Sequence, residues 1–167
     1  MTNAISQDAQ PRPAEQSPGE KPYRHLVGAG CGFTFIPIAS VQGETDANGL
    51  FVPTVGVDYF YGLHPKWAIG FMGALEIGHY SVTDQEIERD NAVNLALLGM
   101  YRATSHLGLF TGGGLEMEQH RNLAVLRLGT IYTIDTGSHW ALVPKLYVDF
   151  KKNYNTWSLA ITISRKI

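Results

Sequence analysis

Residues 51 to 63 place Phe51, Pro53, Val55, Val57, Tyr59, Tyr61 and Leu63 at every odd position, with Thr54, Gly56, Asp58 and Gly62 between them. A two-residue period is the strand period, because successive side chains leave a β-strand on opposite faces. The pattern recurs to the last residue, with large apolar groups on one parity and glycine or charge on the other. Eight runs carry it: roughly 25 to 38, 50 to 63, 67 to 81, 92 to 102, 106 to 119, 123 to 134, 139 to 150 and 156 to 167. The third run sets Trp67, Ile69, Phe71, Leu75 and Ile77 against Ala68, Gly70, Ala74, Glu76 and Gly78. Only the fifth is irregular, because Phe110 falls among its glycines. Each run is long enough to cross a bilayer as a tilted strand, which takes about 9 to 11 residues.

Bulk composition is compatible with this reading without demanding it. Alternation disperses apolar residues, so a mean hydropathy of −0.08 argues against spanning helices and leaves spanning strands open. A net charge of −2 gives no basic footprint for nucleic acid. The single Cys31 excludes an intrachain disulfide and a cysteine-built zinc site. Residues 1 to 22, with four prolines and three glutamines, have the composition of a disordered tail, leaving 23 to 167 for the barrel. Cationic and apolar signal-peptide parts are missing there. Ser6 to Gln10 is therefore read as near the start of a mature chain whose signal was removed.

Solvent decides between an ordinary barrel and an inverted one. Outward aromatics collect at two heights: Tyr61, Trp67, Tyr101, Tyr132 and Trp140 at the tight-turn end, and Phe51, Phe150 and Trp157 at the longer-loop end. These would form two interfacial girdles. The opposite parity carries Asp58, Glu76, Glu116, Arg127, Lys145 and Asp149. An isolated buried charge costs several kcal/mol, so these residues are expected to pair across a polar, plugged lumen. A hairpin turning at Arg121-Asn122 sets Glu116 opposite Arg127 and Gly114 opposite Gly129. A soluble sandwich or lipocalin-like barrel would need the Trp and Leu faces turned inward. The expected fold is therefore all-β: a closed, eight-stranded, antiparallel, up-and-down transmembrane barrel.

Tight turns such as Tyr61 to Trp67, with the segments Gly112 to Glu116, Val125 to Gly129 and Trp140 to Pro144, resemble the small outer-membrane β-barrels of Gram-negative bacteria. The resemblance covers residues 25 to 167 and is one of pattern. It implies a bacterial outer-membrane location, outer-membrane lipid and lipopolysaccharide as surroundings, a monomer, no cofactor and no nucleic acid. Such chains typically end in an aromatic residue, whereas Ile167 closes this one.

Chemistry is sparse. His79 and Ser81 share a face two residues apart and are followed by Asp84, Glu86 and Glu88. A histidine base beside a serine hydroxyl, oriented by a carboxylate, is the recipe for acyl transfer. The pair is similar to the His-x-Ser of outer-membrane lipid A deacylases, although there it lies nearer the C-terminus and precedes Asn, where this chain has Val82. His25, His64, His106 and His139 map to the tight-turn end without a local metal-ligand pair; His120 with Glu118 sits at a hairpin tip. Residues 83 to 90 read as a solvated acidic loop. The leading expectation is a non-enzymatic structural or interaction protein acting through its outer loops. The alternatives are a lipid A hydrolase using His79, Ser81 and Asp84, and a narrow channel.

Overall fold

A computed structural model of the chain describes residues 24–37, 39–41, 49–82, 87–117, 122–137 and 139–167. The expected tail at 1 to 22, Asp84, Glu86, Glu118 and His120 lie outside the described residues. Among the described residues there are twelve strands: β1 (His25–Ile36), β2 (Ala39–Val41), β3 (Leu50–His64), β4 (Trp67–Glu76), β5 (His79–Val82), β6 (Ile87–Asp90), β7 (Val93–Arg102), β8 (Leu107–Met117), β9 (Leu123–Tyr132), β10 (Ile134–Asp135), β11 (Trp140–Lys151) and β12 (Asn155–Lys166).

Eight of them close a barrel, in the order β1, β3, β4, β7, β8, β9, β11, β12, every neighbour antiparallel. Closure is made by the first and last strands, which pair from Leu26 opposite Lys166 to Phe35 opposite Trp157. Closure leaves the wall without an open edge, the arrangement in which ladder groups can be satisfied without water. The short β10 continues β9 alongside β11.

The faces are inverted relative to a soluble protein. Leu97, Phe51 and Ile163 are 71%, 68% and 62% exposed, while Glu116 and Arg127 are 0% and 1% exposed. Tyr61 and Tyr101 are half-buried, and Trp67, Tyr132, Trp140, Phe51, Phe150 and Trp157 stand exposed on the outer wall. At the tight-turn rim Trp67 meets Tyr101 with ring centroids 5.0 Å apart, and His106 stacks on Tyr132 at 5.9 Å. At the loop rim Phe35 meets Phe51 at 4.8 Å.

Two features depart from the sequence reading. The run 67 to 81 is not one strand: it breaks after Glu76, because Gly78 adopts φ of +150° and Asn91 adopts +49°. The two residues brace each other, Asn91 N donating to Gly78 O at 3.1 Å and Gly78 N to Asn91 Oδ1 at 3.2 Å. Beyond this bend β5 leaves the wall and joins β2 and β6 in a three-stranded sheet, so the acidic segment read as loop contains a strand. The second departure is the β8–β9 register. Glu116 lies opposite Leu123, Gly114 opposite Val125 and Gly112 opposite Arg127, so Glu116 does not face Arg127. The pairing is displaced by four residues from the expected register, an even span that leaves each side chain on its expected face.

Candidate functional site

An eight-stranded barrel has an interior just wide enough for side chains to fill. Here the filling is layered. Toward the tight turns it is apolar: Leu26, Phe60, Met72, Leu98, Met100 and Phe110 are buried in one cluster with Tyr147. Phe110, the irregular residue of its strand, points inward and packs toward Tyr147 with centroids 6.4 Å apart. The polar groups expected in the lumen adjoin this apolar cluster, since Met72 and Tyr147 line one cavity with Asp58 and Lys145.

Above that floor lie the ionised groups. Asp149 sits directly opposite Arg127 in the β9–β11 ladder, and Arg127 donates from Nε and Nη2 to its two oxygens at 2.7 Å each. The guanidinium carbon lies 4.3 Å from the centre of the Tyr147 ring. Lys145 pairs with Asp58 from across the barrel, beside a cavity of about 20 Å³ lined by Gly30, Gly56 and Thr162. Glu76 accepts from Tyr80 Oη at 2.7 Å and Asn94 Nδ2 at 2.9 Å. Glu116 pairs with Lys151, accepts from Tyr154 Oη at 2.6 Å and lies 3.2 Å from Arg89 Nε.

Among the described residues the buried charges balance: Asp58, Glu76, Glu116 and Asp149 against Arg89, Arg127, Lys145 and Lys151. Such compensation is what makes charge tolerable away from water. Sequence reasoning missed Arg89, because it was assigned to a solvated loop, and Lys151, one residue past the assigned strand end. Parity would have found Lys151, since 145, 147, 149 and 151 alternate inward.

The β2–β5–β6 sheet covers the loop-end mouth. Tyr80, Val82 and Ala39 from it pack with Ile36, Val52, Leu123 and Tyr154. Burial, reinforced by the neighbouring Glu76 carboxylate, pushes the Tyr80 phenol far above its ordinary value, so it remains a proton donor. Arg89, its side chain fully buried, reaches from this sheet to Glu116.

On the outer side of the same sheet, His79 Nδ1 lies 3.1 Å from Asp90 Oδ1, its cross-strand partner. Ser81 is half-buried and pairs in register with Ser40 and Glu88. No hydrogen bond joins Ser81 to His79 among the described residues. His25 Nδ1 meets Tyr59 Oη at 2.9 Å, His106 Nδ1 meets Ser105 Oγ at 2.9 Å, and His64 Nδ1 accepts from Lys66 N at 3.4 Å. No group of three or more His, Cys, Asp or Glu gathers as a metal site among the described residues.

No family model and no curated protein sequence matches the chain. Solved structures do. The attachment invasion locus protein Ail of Yersinia pestis, in complex with the heparin analogue sucrose octasulfate, superimposes with a TM-score of 0.58 at 9% identity, covering 86% of this chain and 97% of that one. The chain has the fold of the small eight-stranded outer-membrane β-barrels. Neisserial surface protein A gives 0.54 at 11% identity over 86% and 97% of the two chains. The outer membrane protein OprG of Pseudomonas aeruginosa gives 0.50 at 13% over 87% and 97%. At such identities the likeness is one of fold, and side-chain roles are argued from this chain alone.

Proposed function

We propose that the protein is a bacterial outer-membrane barrel with a closed lumen, which acts without catalysis through the surface it presents at its loop end. The observation that carries this is the filled interior, in which the apolar cluster, the four buried carboxylates, three ion-paired and Glu76 hydrogen-bonded, and the β2–β5–β6 sheet occupy the lumen together. An ion entering such a lumen would have to displace paired charges and then cross an apolar layer, both costly in a low dielectric. In this arrangement the tight turns face the periplasm, and lipid and lipopolysaccharide surround the apolar wall. The decisive experiment is planar-bilayer recording of the purified chain. Silence is expected, including for Arg127→Ala, because Met72, Leu98 and Phe110 still close the floor. Discrete conductance steps from the wild type would establish the channel reading instead.

One observation favours a second reading. His79 is held by a carboxylate, that of Asp90, with Ser81 two residues along on the same outer face. This is the orienting half of an acyl-transfer site. Mass spectrometry of lipid A from cells with and without the protein separates the two readings. Unchanged acylation fits the non-enzymatic barrel, whereas an acyl chain lost with the wild type and retained with Ser81→Ala would assign a hydrolase.

A further inference from the structure

Among the described residues, Asp58 accepts the fewest hydrogen bonds of the buried carboxylates. Asp149 takes two from Arg127, Glu76 is met by Tyr80 and Asn94, and Glu116 by Lys151, Tyr154 and the nearby Arg89. Asp58 is joined to Lys145 by one bond, from Nζ to Oδ2. An ammonium carries three N–H donors and an ionised carboxylate about four acceptor sites, so this bond engages one of each. The Lys145 and Asp58 side chains are 3% and 8% exposed, which keeps bulk solvent from completing them.

The sequence leaves room beside this bond. β12 and β1 stand between the strands that carry the pair. Lys145 lies opposite Ala160, Ala160 opposite Gly32, and Asp58 opposite Gly28, while Gly30 has Gly56 on one side and Thr162 on the other. Close approach of β1 and β12 imposes the glycines: a Cβ on Gly30 would lie 2.0 Å from Ile161 O and 2.6 Å from Thr162 Cα. With no side chain at 28, 30 or 32, the space above β1 becomes the cavity of about 20 Å³ that Lys145 and Asp58 line with Thr54 and Thr162. Thr54 Oγ1 donates to Val52 O at 3.2 Å and Thr162 Oγ1 to Val143 O at 3.3 Å, which leaves both hydroxyl oxygens as acceptors.

Size and charge together select the occupant. A cavity needs roughly 10–15 Å³ of such volume to hold a water, and a retained water has about two to four polar partners. The ion pair is neutral in sum, which favours neither a cation nor an anion beside it. We propose that the lumen binds one water molecule at the Lys145–Asp58 pair, accepting from the ammonium and donating to the carboxylate and a threonine hydroxyl. The water completes a pair that the protein itself bridges once, and it sets a hydrated point against Met72 and Tyr147 of the apolar cluster. The site is independent of what the loop end contacts.

The test counts long-lived internal waters by oxygen-17 relaxation dispersion on the full chain folded in detergent, and locates this one in a high-resolution crystal structure. The crystal should show a peak within hydrogen-bond reach of Lys145 Nζ and the Asp58 carboxylate. Asp58→Leu/Lys145→Met, which removes donors and acceptors together, should hold one long-lived water fewer than the wild type. So should Ala74→Val, which adds methyl groups to the cavity wall and keeps both charges. Lys152→Gln, at an exposed position of the loop end, should leave the count unchanged. An unchanged count in both cavity variants, each still migrating as an SDS-resistant barrel, would overturn the site. A crystal structure in which Lys145 turns its remaining N–H groups directly onto protein oxygens would do the same. A peak with the anomalous signal of chloride would retain the cavity as a binding site and overturn its assignment to water.

Discussion

Arg127 and Asp149 face each other across the β9–β11 ladder and share two hydrogen bonds of 2.7 Å, with both side chains 1% exposed. Removing one partner strands the other charge in the lumen, which costs about 3–5 kcal/mol. Asp149→Asn should therefore lower the urea midpoint of the folded barrel markedly. The double variant Arg127→Leu/Asp149→Leu should lose less than the two single changes combined, because no charge is orphaned.

Glu116 ties the cap to the wall, since Arg89 comes from β6 and Lys151 and Tyr154 from the β11 end. Glu116→Gln leaves two buried cations without their carboxylate. Faster hydrogen exchange is expected for amides of residues 79 to 82 and 87 to 90, while the β1–β12 ladder keeps its protection. Uniform acceleration over the whole barrel would mean that the cap is not a separate unit.

Neighbouring glycines should behave in opposite ways. A Cβ on Gly112, facing inward, would lie 1.9 Å from Leu97 O and 2.8 Å from Leu98 Cα, so only separation of β7 and β8 could admit it. On Gly113, facing outward, the nearest atom is Val125 O at 3.9 Å. Gly112→Ala should abolish the SDS-resistant form in detergent gels. Gly113→Ala should preserve it, with a change within about 0.5 kcal/mol.

Tyr80 sets a pH limit. Its folded-state value is raised by burial and by Glu76 above the ordinary 10.0, so the folded state prefers the phenol protonated. The stability this provides is complete below pH 10 and falls as the pH climbs past the unfolded-state value, when the unfolded chain releases a proton that the folded chain keeps. Alkaline unfolding of the wild type should therefore be steeper above pH 10 than that of Tyr80→Phe. Difference absorbance at 295 nm should show no Tyr80 ionisation before unfolding.

Much of the wall was legible because a two-residue period survives at every strand and names both faces. Register was not, since a hairpin can slip by an even number of residues without altering parity; Glu116 thus changed partners, from Arg127 to Lys151, Tyr154 and Arg89, while remaining inside. The bend at Gly78 was hidden for the same reason: Tyr80 and Val82 continue the inward parity of Glu76 although they belong to another sheet. The apolar floor escaped notice because Met72, Leu98 and Phe110 occupy positions dominated locally by glycine and alanine. His79 was singled out, yet its carboxylate partner Asp90 became visible only once β5 and β6 paired.

The inside-out wall is tested most directly along β7, where Leu97 and Leu98 are 71% and 4% exposed. With Cys31 replaced by Ala, single cysteines at 95, 96, 97 and 98 can carry nitroxide labels in protein reconstituted into lipid vesicles, and collisional relaxation then reports contact with dissolved oxygen. Labels at 95 and 97 should show high oxygen accessibility and exclusion of a water-soluble nickel chelate, while those at 96 and 98 show little contact with either. The opposite alternation, or free access of the chelate to 95 and 97, would contradict a barrel that turns its apolar face to lipid.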